Sequence, residues 1–343
     1  MMKRINLRML WMAAAGVSLL TACQTIETIS MDYMLPAEVS FPEELKRVAV
    51  VNNSPVIKPE QTLIEEKGSE KSFWGDSKRA TEALANALAK GNYFDEVIIC
   101  DSLLRATDPQ PAAHPLTLEE INQLTHALDV DFLISLEGLI VKTKRDLQYL
   151  PEWRVNYGTI DAKVYATTRI YLPNRANAMA TLHSNDSIFW EESALHESDL
   201  RRLLPDDVEV QRQASDFAGS LPVQQLLPHW KSAQRYLYGG SSVNLRDALV
   251  YVRENDWTQA IDLWKKEYEV KNVKRKKAAA YNLSVGYEMQ DQMEEAVRWI
   301  GLALQHTQPE TTEQLMMQLY QQELKQRLGG MQRLQLQTRR LNP

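Results

Sequence analysis

Histidine, cysteine and carboxylate side chains are the groups in this sequence that could bind a metal or transfer a proton. The six histidines are spread along the chain, and no two lie three or four residues apart, the spacing that places two ligands on one face of a helix. The two cysteines, Cys23 and Cys100, form no Cys-x-x-Cys pair. Adjacent carboxylates such as Asp206 and Asp207 are typical of a solvated surface. We therefore predict no metal, no cofactor and no catalytic residue.

The motifs of hydrolases and nucleotide-binding domains are also missing from the sequence. It has no Gly-x-Ser-x-Gly motif, and no glycine-rich loop joins its first predicted strand to a helix. The alternative hypothesis for the function is an envelope enzyme or a small-ligand-binding protein with a site between two domains. Asp186, Glu191 and His196 are the first residues to test for it, although their spacing does not favour it.

The first 22 residues have the pattern of an export signal. Three basic residues precede an apolar run that ends at Leu20, and this run is shorter than the roughly 20 apolar residues that span a bilayer. Removal of the segment takes the formal net charge of the chain from -6 to -9. A mildly acidic mature chain argues against nucleic acid as the main partner.

The segment Leu20-Thr21-Ala22-Cys23 resembles the lipobox of bacterial lipoproteins. The resemblance implies that Cys23 is acylated, becomes the first residue after cleavage and holds the protein on a lipid bilayer, because each buried CH₂ contributes about 0.8 kcal/mol. The alternative is an ordinary secretory signal followed by a cysteine without this role. Some lipoproteins carry a run of acidic residues after the cysteine that directs them to the cell exterior, but here only Glu27 is charged in residues 24–30. We therefore predict a lipid anchor in the outer membrane of the bacterial cell envelope that faces the periplasm.

Residues 45–192 are predicted to form an α/β domain with a mixed sheet, after a tether over residues 23–44. A helix begins at Asp76 or Ser77, and a second begins at a capping box of Thr117 and Glu120. Alternating strands and helices followed by a hairpin favour an α/β sandwich. The predicted strands are 47–51, 96–100, 132–141, 158–171 and 178–190.

The run 47–51 and the segment 128–138, which enters a strand that ends in glycine, resemble the α/β domain of periplasmic envelope proteins. This group includes the N-terminal domain of the Tol-system periplasmic protein and the curli-secretion lipoprotein. The chain departs from their pattern at Asp129 and Val130, where glycine and alanine are usual. As a whole it is similar to a family of Bacteroidales lipoproteins, and that similarity implies no activity.

Residues 142–157 are predicted to form a long connection between two strands, with Tyr149 and Trp153 near its middle. One interpretation is that these aromatic side chains form a contact surface for a partner protein. The other is that Trp153 folds back and covers the edge of the sheet.

Residues 193–328 are predicted to be helical, with a helical segment over 206–238 and a flexible tail over 329–343. Two helical hairpins resemble tetratricopeptide repeats, because small and aromatic residues recur at the packing positions of that repeat. The hypothesis is a non-catalytic, lipid-anchored scaffold that binds an envelope protein. The repeat positions are Ala248, Tyr251, Ala260 and Trp264 in the first hairpin and Leu283, Ser284, Tyr287, Ala296, Ile300 and Ala303 in the second.

Overall fold

The computed structural model describes residues 26–58, 62–106, 114–240 and 242–341. They divide into two compact units: a helical unit of residues 26–35 and 230–332, and an α/β unit of residues 36–229 and 333–341. The predicted fold class, a mixed sheet region followed by an all-α region, is confirmed. The α/β unit extends to His229, whereas the predicted domain boundary was at residue 192. The signal peptide and Cys23 lie outside the described residues.

The described residues form nine strands and ten α-helices. The strands are β1 (Ile26–Leu35), β2 (Arg47–Asn52), β3 (Leu63–Lys67), β4 (Glu70–Trp74), β5 (Glu96–Leu103), β6 (Phe132–Leu150), β7 (Val155–Tyr171), β8 (Ala180–Ala194) and β9 (His229–Tyr238). The helices are α1 (Ser77–Lys90), α2 (Leu118–Ala127), α3 (Glu197–Leu203), α4 (Asp207–Ser220), α5 (Pro222–Leu226), α6 (Val243–Arg253), α7 (Trp257–Tyr268), α8 (Val273–Met289), α9 (Met293–Gln305) and α10 (Thr312–Thr338). None of these helices combines the length and apolar character needed to cross a membrane.

Strand β2 lies between β5 and β6 and runs parallel to both. Its side chains alternate between the two faces of the sheet, so Val48 and Val50 pack with Leu84 of α1, whereas Ala49 packs with Ile121 of α2. The crossover from β2 to β5 therefore covers one face and the crossover from β5 to β6 covers the other. The strand order reverses between β2 and β6 in this doubly wound arrangement, and the crevice beyond the carboxyl end of β2, beside β6, is where such sheets bind ligands.

Strand β6 is long enough to have two neighbours on one side. Its first part pairs with β2 and its later part pairs antiparallel with β4, while β7 runs along its whole length on the other side. The predicted long connection over 142–157 is therefore wrong: β6 and β7 continue as a hairpin with a turn over residues 151–154. The β3–β4 hairpin was not predicted, because its polar sequence gives only a weak strand pattern.

The two predicted helical hairpins are confirmed as α6–α7 and α8–α9. Trp264 and Ala296, at repeat packing positions, are fully buried in a shared apolar core. Both hairpins turn at a residue with a left-handed backbone, Asn255 (φ 60°) and Asp291 (φ 55°), a conformation that Asn and Asp tolerate better than most residues.

Three predicted segments are wrong in detail. The tether contains β1, and the helix predicted over 206–238 ends in β9, which pairs with β1 to form a two-stranded sheet. The partners are about two hundred residues apart, so local patterns do not reveal the pairing. The predicted tail is helical to Thr338, and buried Gln337 bonds with backbone groups of Ala37 and Val39 in the α/β unit.

Candidate interaction surface

The end of the β6–β7 hairpin presents two exposed aromatic side chains. We call the hairpin from Arg145 to Ile160 the arm. Tyr149 is 57% exposed near the end of β6, and Trp153 is 71% exposed in the turn. The backbone N–H of Trp153 donates to the carbonyl oxygen of Leu150 at 3.3 Å, which closes the turn. Trp153 thus extends into solvent, and the alternative that it covers a sheet edge is wrong.

Helices α3 and α4 hold the base of the arm by ion pairs and by apolar packing. Arg145 donates to the carboxylate of Asp207 at 3.0 Å and to the carbonyl oxygen of Pro205 at 2.7 Å. Lys71 reaches the same carboxylate at 2.8 Å. Burial alone would raise the pKa of Asp207, but the charges and hydrogen bonds of Lys71 and Arg145 outweigh it and lower that pKa. These contacts fix the direction of the arm.

A third exposed apolar side chain, which sequence reasoning missed, lies at the end of the arm. The side chain of Asn156, which pairs with Tyr149 across the hairpin, donates to the carbonyl oxygen of Leu195 at 2.9 Å. Leu195 is 71% exposed. We call Tyr149, Trp153 and Leu195 the tip surface. Two of its three residues are Trp and Tyr, the types enriched among residues that dominate protein binding energies.

The residues named for the enzymatic hypothesis are not brought together. Asp186 and Glu191 lie on opposite faces of β8 and five residues apart, about 16 Å at the rise of a strand. His196 follows the strand and precedes α3, where its side chain makes no capping bond. Glu191 accepts a hydrogen bond from the Tyr157 hydroxyl at 2.5 Å. Within the described ranges, no group of three or more His, Cys, Asp or Glu residues is arranged to hold a metal.

A buried polar cluster occupies the switch point at the carboxyl end of β2, where β6 continues past the end of that strand. Glu137, at a bulge of β6, accepts hydrogen bonds from the Asn53 amide at 2.8 Å and from the Tyr171 hydroxyl at 3.1 Å. Arg169 lies 3.6 Å from the same carboxylate. Asn53 in turn accepts from Arg105 at 2.7 Å. The protein itself supplies these donors, so the cluster ties the end of β2 to β6 and β7 at the place where related sheet topologies bind ligands.

Glu137 gives the α/β unit a testable pH dependence. Burial raises its pKa, and the opposing effects of Asn53, Tyr171 and Arg169 only reduce the shift. The folded state therefore binds more protons than the unfolded state between the ordinary carboxyl pKa, about 4.3, and the raised value. Stability should fall as pH rises through this window, and Glu137→Gln should remove that part of the slope in urea titrations at several pH values. If the free energies of unfolding of the unaltered chain and of Glu137→Gln varied with pH in the same way, the raised pKa of Glu137 would be contradicted.

A second buried cluster lies in the helical unit and was also missed. The carboxylate of Glu288 on α8 is fully buried and accepts from Arg235 of β9 at 2.9 Å, from Arg327 of α10 and from the Tyr320 hydroxyl at 2.6 Å. Both arginine side chains are 8% exposed. Glu323 lies 3.0 Å from Arg235 and supplies a second negative charge. The two arginines are thus matched by two carboxylates, of which Glu288 is fully buried and Glu323 is partly exposed.

Tyr33 of β1 closes this cluster. Its hydroxyl donates to Glu323, and its ring lies 3.9 Å from the guanidinium carbon of Arg327. Burial and the nearby Glu323 raise the pKa of Tyr33 to about 12, so the hydroxyl stays protonated. The cluster joins β1, β9, α8 and α10, which makes it a structural clamp for the two-stranded sheet.

Comparison with known proteins gives two family matches. A model described as a domain of unknown function (DUF8603) matches residues 45–238, more than half of the chain. A second model described as a domain of unknown function (DUF6340) matches residues 246–326. No protein with a curated description matches the chain.

Proposed function

The chain belongs to the family defined by DUF8603, and we propose that it is a non-catalytic protein that binds another protein in the bacterial cell envelope. The observation that carries this proposal is the exposure of Trp153 and Tyr149 at the end of an arm whose base is fixed. Large aromatic side chains bury much apolar area on binding and lose few rotamers, because they have only two side-chain torsions. A fixed arm adds little entropy cost to association.

The location in the envelope rests on the sequence. The export signal and the lipobox-like segment that ends in Cys23 support attachment to a bilayer through acyl chains, in the outer membrane and facing the periplasm. The resemblances to Bacteroidales lipoproteins and to the α/β domain of the Tol-system protein support the same location. In this proposal the lipid holds the protein near its partner and thereby raises the effective concentration of the tip surface.

Replacing the tip aromatics tests the proposal. Cross-linking and capture from native membranes should recover an envelope protein with the unaltered chain. Trp153→Ala should weaken this capture about tenfold, the effect of losing one hot-spot side chain, and Tyr149→Ala should act in the same direction. Trp230→Ala is the matched control, since Trp230 is 68% exposed but belongs to the helical unit.

Equal capture by the Trp153 and Trp230 variants would contradict the role of the tip surface. The same preparation includes Cys23→Ala, which should leave the membrane fraction if the thiol carries the anchor. Retention of Cys23→Ala in the membrane would contradict lipid attachment at this residue while leaving the result for the tip surface unaffected.

A further inference from the structure

The outer edge of β8 is a row of unpaired backbone groups. Strand β8 pairs with β7 over fifteen residues without a register shift, and no other strand in the described part of the chain pairs with it. A free strand edge is a template for an added strand, and proteins usually shorten, cover or charge such an edge. This edge is long, so its side chains and the surfaces beside it decide whether a strand of another protein could pair with it.

One side-chain contact shows which backbone groups face outward. The backbone N–H of Ser187 donates to the carboxylate of Asp186 at 2.8 Å, so it points away from β7. Backbone groups alternate in direction along an antiparallel strand. The N–H and C=O groups of Phe189, Glu191 and Ser193 therefore also face the free edge, where a neighbouring strand could bond them.

A groove runs beside the same part of the strand, on the face covered by helices. It has a volume of about 620 Å³ and lies between β8, α3 and the start of α4, with Trp190, Leu203 and Pro205 among its apolar walls. Charged side chains also line it: Arg201 and Arg202 are paired with Glu197 and Asp199 of α3, and Asp206 and Glu209 supply carboxylates. Leu203 is 55% exposed. The indole N–H of Trp190 donates to the side-chain oxygen of Gln213 at 3.1 Å, which fixes the ring at one side of the groove.

The free edge and the groove together form the arrangement by which sheets capture extended peptides. Backbone bonds to the edge strand supply affinity, and a pocket on one face receives alternate side chains. The even-numbered residues of β8, including Trp190, face the helices, so every second side chain of an added strand would lie on that face, and the one beside Trp190 would lie over this groove. The edge alone would bind any strand, and the groove adds a preference for a bulky apolar side chain.

The charges on β8 indicate which charge a partner strand should carry. Asp186, Glu191 and Glu192 are exposed, and none forms an ion pair with another described residue. Opposite charges across paired strands stabilise the pairing, and like charges oppose it. A second copy of β8 would add three more carboxylates at this edge, whereas a basic strand would neutralise those already present.

We propose that the edge of β8 binds an extended basic segment of a partner protein by strand addition, with one apolar side chain of that segment beside Trp190. This inference rests on the proposed role in protein binding and adds a second contact to the tip surface.

Hydrogen exchange with a defined peptide tests the mode of binding. The probe is a ten-residue synthetic peptide of alternating lysine and threonine with one central leucine. At saturation it should slow exchange of the Phe189, Glu191 and Ser193 amides about tenfold or more, because strand pairing protects these donors. A peptide with N-methyl groups on the pairing residues and a peptide with glutamate in place of lysine should both lose this effect. Binding without protection of these amides would overturn strand addition.

Two pairs of variants separate the edge from the groove. Ser193→Pro removes an outward donor without breaking the ladder to β7, so it should weaken peptide binding about tenfold relative to Ser193→Ala. Leu203→Gln, which removes part of the apolar wall without changing the charge, should weaken binding, whereas Val208→Gln should not, since Val208 is 75% exposed and does not line the groove. Unchanged affinity in Ser193→Pro, or a dimer of this chain joined through β8, would overturn the proposal.

The test separates this inference from the proposed function. Trp153→Ala should bind the peptide as the unaltered chain does. Loss of capture from membranes in Trp153→Ala together with failure of the peptide to bind β8 would overturn only the edge proposal. Peptide binding at β8 combined with full capture by Trp153→Ala would overturn only the role of the tip surface.

Discussion

Glu288→Ala is expected to lower the free energy of unfolding by about 3–5 kcal/mol, the cost of leaving buried charges without their partner. The Glu288 carboxylate is fully buried and accepts hydrogen bonds from Arg235, Arg327 and Tyr320. Its removal leaves two nearly buried guanidinium groups with only Glu323 to balance them. Urea unfolding combined with hydrogen exchange of the α8 and α9 amides would measure the loss within the helical unit.

Two comparisons show whether the loss comes from uncompensated charge. Glu295→Ala breaks an exposed ion pair with Arg298 on α9 and should cost no more than about 1 kcal/mol. Replacing Arg235, Glu288 and Arg327 together by apolar residues of similar volume should recover much of the stability, since a buried ion cluster can be exchanged for packing at little cost. A loss in Glu288→Ala as small as that in Glu295→Ala would show that water or rearrangement satisfies the arginines.

Local sequence patterns predicted the parts of the fold that local forces determine. The β-branched run at 47–51 forms β2, the Thr117 capping box begins α2, and Asn255 and Asp291 form the turns between paired helices. The pairing of β1 with β9 depends on contacts between distant segments. Helix α10 continues through Gly329 and Gly330 because tertiary packing outweighs their low helix propensity, about 1 kcal/mol each.

Residue type predicted part of the candidate surface, and tertiary structure determined the rest. Trp153 and Tyr149 were identified because large aromatic residues between two strands suit an interface. Leu195 belongs to the same surface only because the register of the hairpin places Asn156 beside it. Glu137 lies within an apolar strand pattern, and that pattern does not indicate which polar side chains contact it. Asn53 follows the end of a predicted strand, so its position could have indicated a polar site at the switch point.

Gly219→Val is expected to destabilise the α/β unit by about 3 kcal/mol, at the upper end for overpacking a well-packed core. Gly219 lies on α4 where that helix crosses α1. A Cβ atom at this position would overlap the backbone carbonyl oxygen of Ala80 and lie 2.8 Å from the Cβ of Ala83. The main obstacle is backbone, which cannot rotate away as a side chain can. The two helices must therefore separate, and the apolar contacts of α4 with the sheet would be lost with them.

Gly329→Ala in α10 is the control, and its expected effect on stability is opposite to that of Gly219→Val. A Cβ atom there would meet no atom within 4 Å, and the residue lies inside a helix. Alanine should therefore stabilise the protein by about 0.5–1 kcal/mol, because glycine has more backbone freedom to lose on folding. Thermal unfolding of both variants would measure the contrast. If Gly219→Val were as stable as the unaltered chain, the close approach of α1 and α4 would be wrong, and with it the position of the helix that holds Asp207 against the base of the arm.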